Sequence, residues 1–153
     1  MTSSLYESDF YAWANEQATL LRTGNLSAAD IEHIAEEIES MGKSDLRAME
    51  SSLARVIEHL LKLAHSPAEA PRAGWRESVA VHRVEFAALA EDNPGLVSRV
   101  RLPVAYERGR QIAIASLTHH DGVNGNALPA TCPWSFNEIM DEGFWPGGAG
   151  PGH

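Results

Sequence analysis

Apolar residues recur along this chain at steps of three and four, the spacing of one helix face, and no useful stretch alternates as a strand would. The spacing predicts a first helix over Asp9–Arg22, with Phe10, Trp13, Ala14, Ala18 and Leu21 on one face and Gly24 as its stop. A second helix is expected to start at Ser27. Asp30 lies three residues on, as a capping box requires, and Leu26 and Ile31 are placed to staple it. Ile31, Ile34, Ile38 and Met41 form its core-facing side, and Gly42 ends it. Ser44 then caps a third helix, whose seam of Leu46, Met49, Leu53, Val56, Leu60 and Leu63 is an unbroken heptad repeat. Ile57, Leu61 and Ala64 widen that seam, so its second half should be the more buried. Carried across Gly42, the earlier seam falls on Asp45 and Ala48, which predicts a break there instead of one long rod.

Ser66-Pro67 and Pro71 mark the next loop. A fourth helix follows over Arg72–Ala90, with Trp75, Val79, His82, Phe86 and Leu89 as its stripe and Asn93-Pro94-Gly95 after it. A fifth element runs from Leu96 to Leu117, kinked or delayed by Pro103. Its small residues Ala105, Gly109 and Ala113 allow another helix to approach closely. After a loop over Asp121–Pro129, Ser135 and Glu138 form a second capping box, stapled by Trp134 and Ile139, on a short helix ending at Gly143. The expected fold is all-α: an up-down bundle of four to five main helices, with a short C-terminal helix and an aromatic arm packed across it. Residues 1–146 form one helical domain, and 147–153 a flexible Gly/Pro-rich tail.

Composition narrows the function classes. The chain has 153 residues, 44% hydrophobic and 22% charged, ordinary for a folded domain. The longest apolar run is too short to cross a bilayer, no signal peptide is visible at the N-terminus, and the single Cys132 makes no internal disulfide. A cytoplasmic setting is expected. The net charge of −9 repels phosphate backbones, so neither nucleic acid nor membrane is expected as a partner.

Several blocks resemble one bacterial family. Leu5-Tyr6-Glu7 with Asp9-Phe10-Tyr11-Ala12-Trp13 is similar to its opening, and Ala35-Glu36-Glu37-Ile38-Glu39-Ser40-Met41-Gly42 to its most typical stretch. His59-Leu60-Leu61-Lys62-Leu63, Asp92-Asn93-Pro94 and Cys132-Pro133-Trp134-Ser135 match further blocks. The family is domain of unknown function family twenty-nine. The resemblance covers nearly the whole chain and implies a compact helical fold, with no activity attached. The chain departs from the family at Leu63, where tryptophan is more usual, and at Thr118-His119-His120-Asp121, where a Glu-Thr-Gly-like turn is more usual.

The candidate chemistry is thin. Asp30, Glu32, Glu36, Glu37 and Glu39 crowd one helix, and carboxylates near a helix start favour its dipole. Glu36 and Glu39 give half of a helical magnesium motif, but the only Glu-x-x-Asp, Glu138 to Asp141, lies far away on the terminal helix. His33 and Glu37, four apart, share a face, and Asp30 and His33 make an Asp-x-x-His pair. His59 and His82 are placed to approach each other between helices. The four candidate metal ligands are therefore His33, Glu37, His59 and His82. Cys132 has no local base, and Arg99, Arg101, Arg108 and Arg110 form a basic strip best explained by internal charge balance. No catalytic residue and no cofactor is expected. The leading expectation is a non-catalytic interaction or regulatory module with a protein partner or as a homodimer. The alternative is a metal-dependent hydrolase in a helical bundle, with a divalent metal.

Overall fold

The computed structural model describes residues 2–146, so the expected tail at 147–153 lies outside the described residues. Among the described residues the chain is all-α, with no strand. Six α-helices follow in order: α1 Thr2–Ser8, α2 Phe10–Arg22, α3 Ile31–His65, α4 Arg72–Asp92, α5 Leu102–Asp121 and α6 Phe136–Met140. Two short 3-10 turns, Pro94–Arg99 and Gly125–Ala127, precede and follow α5. The chain divides into two compact units, Met1–Ser44 and Asp45–His153.

In the first unit, Asp9 separates α1 from α2 and caps α2 by accepting a hydrogen bond from the Ala12 N–H at 3.0 Å. The expected cap at Ser27 is not formed, because its hydroxyl turns to the Asn25 side chain at 3.2 Å. Asp30 takes the role one turn later, accepting from the His33 N–H while its own carbonyl accepts from Ile34. Carboxylate and hydroxyl are both good caps, and the Asp30 choice is held by a further bond from its N–H to buried Gln17.

α3 is continuous through Gly42 and Ser44, against the expected break and second cap. A glycine inside a helix costs about 1 kcal/mol relative to alanine, too little to break a run of good helix formers. The seam mismatch that predicted a break reflects a change of environment. Ile31 and Ile38, expected in a core, are 54% and 64% exposed, and Met41 is exposed too, whereas Met49, Leu53, Val56, Leu60 and Leu63 are buried. Nothing lies within 4 Å of a Cβ built on Gly42. Gly42→Ala is therefore expected to stabilise the chain by about 0.5–1 kcal/mol, read as a higher denaturation midpoint. A loss of stability would place a helix break at this residue.

In the second unit the core is built from the latter half of α3, from α4 and α5, and from residues of the C-terminal arm such as Leu128 and Ile139. Val79 and Phe86 bury the α4 stripe, and Ala105, Gly109 and Ala113 bury the small-residue face of α5 against α3. Pro103 delays the start of α5, the Pro94–Arg99 turn taking up the intervening chain. Buried Glu50 on α3 receives the Arg101 backbone N–H and its guanidinium at 2.9–3.0 Å. A carboxylate at the first turn of α5 also suits the helix dipole. Arg72 donates to the carbonyls of Leu63 and Ser66, which closes the C-terminus of α3. The Ser135–Glu138 capping box forms as expected, although α6 stops at Met140 and not at Gly143.

Candidate functional site

Four neighbourhoods carry polar chemistry or exposed apolar surface. The first lies in the first unit, around Tyr6. Its ring stacks on His33 with centroids 4.0 Å apart, and its hydroxyl donates to Glu37 at 3.0 Å. His33 donates from Nδ1 to Asp30 at 2.7 Å, and the Trp13 indole donates to the same carboxylate at 3.2 Å. Burial alone would raise the Asp30 carboxyl, but the bonds from the His33 ring and backbone and from Trp13 outweigh it and hold it below its ordinary value. The Asp30 hydrogen bond in turn raises His33. His33 and Glu37 thus both meet Tyr6, as their spacing allowed. Gln17, 2% exposed, gives its oxygen to the Asp30 N–H, and its Nε2 has no hydrogen-bond partner among the described residues.

The second neighbourhood is the surface of the same unit. Ten large apolar side chains are exposed among the described residues, and seven of them are Phe10, Tyr11, Leu21, Leu26, Ile31, Ile38 and Met41. Phe10 and Leu21, which share one face of the first helix with buried Trp13, are among them. Residues 1–44 also hold eight acidic residues against two basic ones, a net −6 of the −9 of the whole chain. Scattered exposed apolar residues are normal, but this concentration in one acidic segment is not.

The third neighbourhood pairs His59 on α3 with His82 on α4, their rings nearly parallel at 6.3 Å between centroids. The sequence expectation that these two approach each other is met. His59 Nδ1 donates to the Arg55 carbonyl at 2.8 Å, and His82 Nδ1 donates to Glu85 at 2.8 Å. In the neutral His59 ring the lone-pair nitrogen is therefore Nε2. Beside them, buried Glu58 binds Lys62 at 2.8 Å and Arg55 at 2.7 Å, and Lys62 sits over the Trp75 ring at 5.9 Å. Glutamate four residues before lysine is a helix pairing the sequence shows openly, though not that the pair is buried. Among the described residues no group of three or more His, Cys, Asp or Glu is placed to hold one metal ion.

Burial pushes the His59 imidazole below its ordinary value. The groups facing it are Arg55, Glu58 and Lys62 on α3 and His82 with its partner Glu85 on α4. A histidine depressed in the folded state takes its proton first in the unfolded chain, so its stabilising effect is complete above about pH 6.5 and is lost as pH falls below that. The His59 contribution to the melting temperature is expected to be level above about pH 7 and to fall through the acid side of 6.5, whereas His33, raised by its bond to Asp30, contributes in the opposite sense and loses its stabilisation as pH rises. His59→Gln should flatten part of that slope, and the remainder includes His65, also lowered by burial. A slope unchanged in His59→Gln would remove His59 as its source.

The fourth neighbourhood is a cavity of about 610 Å³ between α4 and the C-terminal arm, lined by Val84, Ala87, Glu91, Met140 and Trp145 around Arg83. Arg83 is 4% exposed and donates to the carbonyls of Ile139 at 2.7 Å and Phe144 at 3.1 Å, with Trp145 against it at 5.3 Å. These contacts latch the arm to α4. The sequence signal was a basic residue on the stripe between Val79 and Phe86. Other candidates resolve into structural roles. Cys132 donates to the Trp134 carbonyl, and burial pushes its thiol up, away from a reactive thiolate. Arg101 and Arg110 are spent on Glu50 and on the carbonyls of Leu128 and Pro129.

No helix among the described residues is long and apolar enough to cross a membrane. No curated protein and no solved structure matches the chain. A family model does match, over residues 5–145, and its description is Domain of unknown function DUF29.

Proposed function

The chain belongs to the DUF29 family, whose description assigns no activity, and from the geometry of its own residues we propose that it is a non-catalytic protein-interaction module. The observation that carries this reading is the exposed, acidic and apolar surface of the first unit, where most of the large exposed apolar side chains are gathered. Leaving Ile31 and Ile38 more than half exposed forgoes about 1–2 kcal/mol of burial for each, a loss that a docked partner recovers. The buried polar groups of the second unit support the same reading. Glu50, Glu58, Lys62 and Arg83 all have protein partners and serve packing. A single half-buried cysteine suits a reducing cytosol.

Site-specific photo-crosslinking in the cells of origin tests this reading. A crosslinker at Ile38 is expected to yield a discrete protein adduct, and one at exposed Val104 on α5 is not. Absence of any adduct from position 38, or the same adducts from both positions, would overturn it.

A further inference from the structure

We propose that the exposed face of α3 in the first unit receives a basic amphipathic helix of another protein, and not a second copy of this chain. The proposal rests on the interaction-module reading and adds the chemistry of the partner. At about 100° per residue, Ile31, Ala35, Ile38 and Gly42 fall within about 60° of arc on α3. All four are exposed, and the space over Gly42 is open. Isoleucines alternating with two small residues make a stripe with a waist, which lets a second helix approach within the usual 8–10 Å between axes.

The two borders of the stripe differ. On one side Ile34, Glu37 and Asp30 are half-buried, and Tyr6 and Trp13 bond to the two carboxylates. On the other side Glu32, Glu36 and Glu39 are exposed, and none takes part in an ion pair among the described residues. A helix laid on the stripe therefore meets apolar surface in the middle and, along one edge, three carboxylates in no ion pair among the described residues, with Lys43 the one basic residue on that side. Lysine or arginine flanking an apolar face is the complement, as in helix-in-groove recognition.

Charge argues against self-pairing. Each copy carries −6 over residues 1–44, so two copies would face each other with like charge. An antiparallel pairing that lays the stripe on itself also lays its glutamate border on the same border of the other copy. A basic helix reverses the sign of that term and gains on-rate from steering.

The test uses the full chain and two synthetic amphipathic peptides of 18 residues or so, long enough for about five helical turns. Both carry the same leucine face, flanked by lysine in one and by glutamate in the other. Fluorescence anisotropy is expected to show the lysine peptide binding at least about tenfold tighter, and weakening as salt rises. Ile38→Asp should lose about tenfold. Changing Glu32, Glu36 and Glu39 to lysine should transfer the preference to the glutamate peptide. Changing Glu69, Glu77 and Glu91 to glutamine should leave binding within about twofold. All these positions are exposed, so none opens the core; lysine at Glu32 does oppose the α3 dipole, and circular dichroism of each variant separates a loss of helix from a loss of binding. Lysine-peptide binding that ignores Ile38→Asp, or that the Glu69, Glu77 and Glu91 changes weaken as much as the α3 changes, would overturn the proposal. So would equal binding of both peptides. Sedimentation of the chain alone separates the two readings. A dimer dispersed by Ile38→Asp overturns the basic partner and leaves the interaction module standing, whereas a monomer that binds neither peptide and gives no crosslink from position 38 overturns both.

Discussion

Gly109→Val is expected to destabilise the chain by about 3 kcal/mol, lowering the melting temperature by about 6–12 °C. The reason is a close helix approach. A Cβ built on Gly109 lies 2.6 Å from the Ala54 carbonyl oxygen and 3.0 Å from Ile57 Cγ2. The first of those atoms is backbone, and cannot swing aside. Relief requires α5 to move off α3, which opens the core around Leu53, Ile57 and Ala113. Gly109→Ala gains about 1 kcal/mol in helix propensity but meets the same oxygen, so its net effect remains destabilising. The informative comparison is with Gly42→Ala. The same substitution in the same kind of helix interior should have opposite signs at the two sites, because one glycine faces backbone and the other faces open space. Equal effects at both, measured by denaturant unfolding, would refute the close approach.

Glu58→Ala is expected to cost about 3 kcal/mol, the lower end of what removing one member of a buried ion pair does. Glu58 is 3% exposed and Lys62 is 8% exposed, with the charged atoms 2.8 Å apart. Without Glu58 the ammonium keeps only the face of Trp75 and lies beside His59. Arg55 is half exposed and escapes to water, which limits the loss. The double change Glu58→Leu with Lys62→Met should restore most of the stability, because it removes both charges and keeps the packing. A loss under about 0.5 kcal/mol for Glu58→Ala would show that Lys62 reaches solvent unaided.

Much of this architecture was legible from spacing. The buried seam from Met49 to Leu63, the α4 stripe, the small-residue face of α5, the delay at Pro103 and the Ser135–Glu138 capping box all form as read. Each is a local rule whose partners lie within a few residues, or a periodicity that needs only one buried side. The contacts of His33 with Asp30 and of His59 with His82 were legible for the same reason: the first is one turn of helix, and the second follows from two apolar stripes that must face each other.

The errors share a cause. Ile31, Ile34, Ile38 and Met41 have the periodicity of a core face, yet only Ile34 is half-buried, because periodicity does not say whether a partner element exists to cover the rest. Ser27 and Asp30 are both competent caps, and the tertiary bond from Asp30 to Gln17 selects between them. Gly42 is a stop signal only when the chain beyond it gains by turning away, and here α3 runs on into the core. Local chemistry thus determined which segments are helical, which faces are apolar and which residues are competent caps. Only the folded arrangement decided which apolar face is covered and which is left open to water, because burial depends on what the rest of the chain places opposite it.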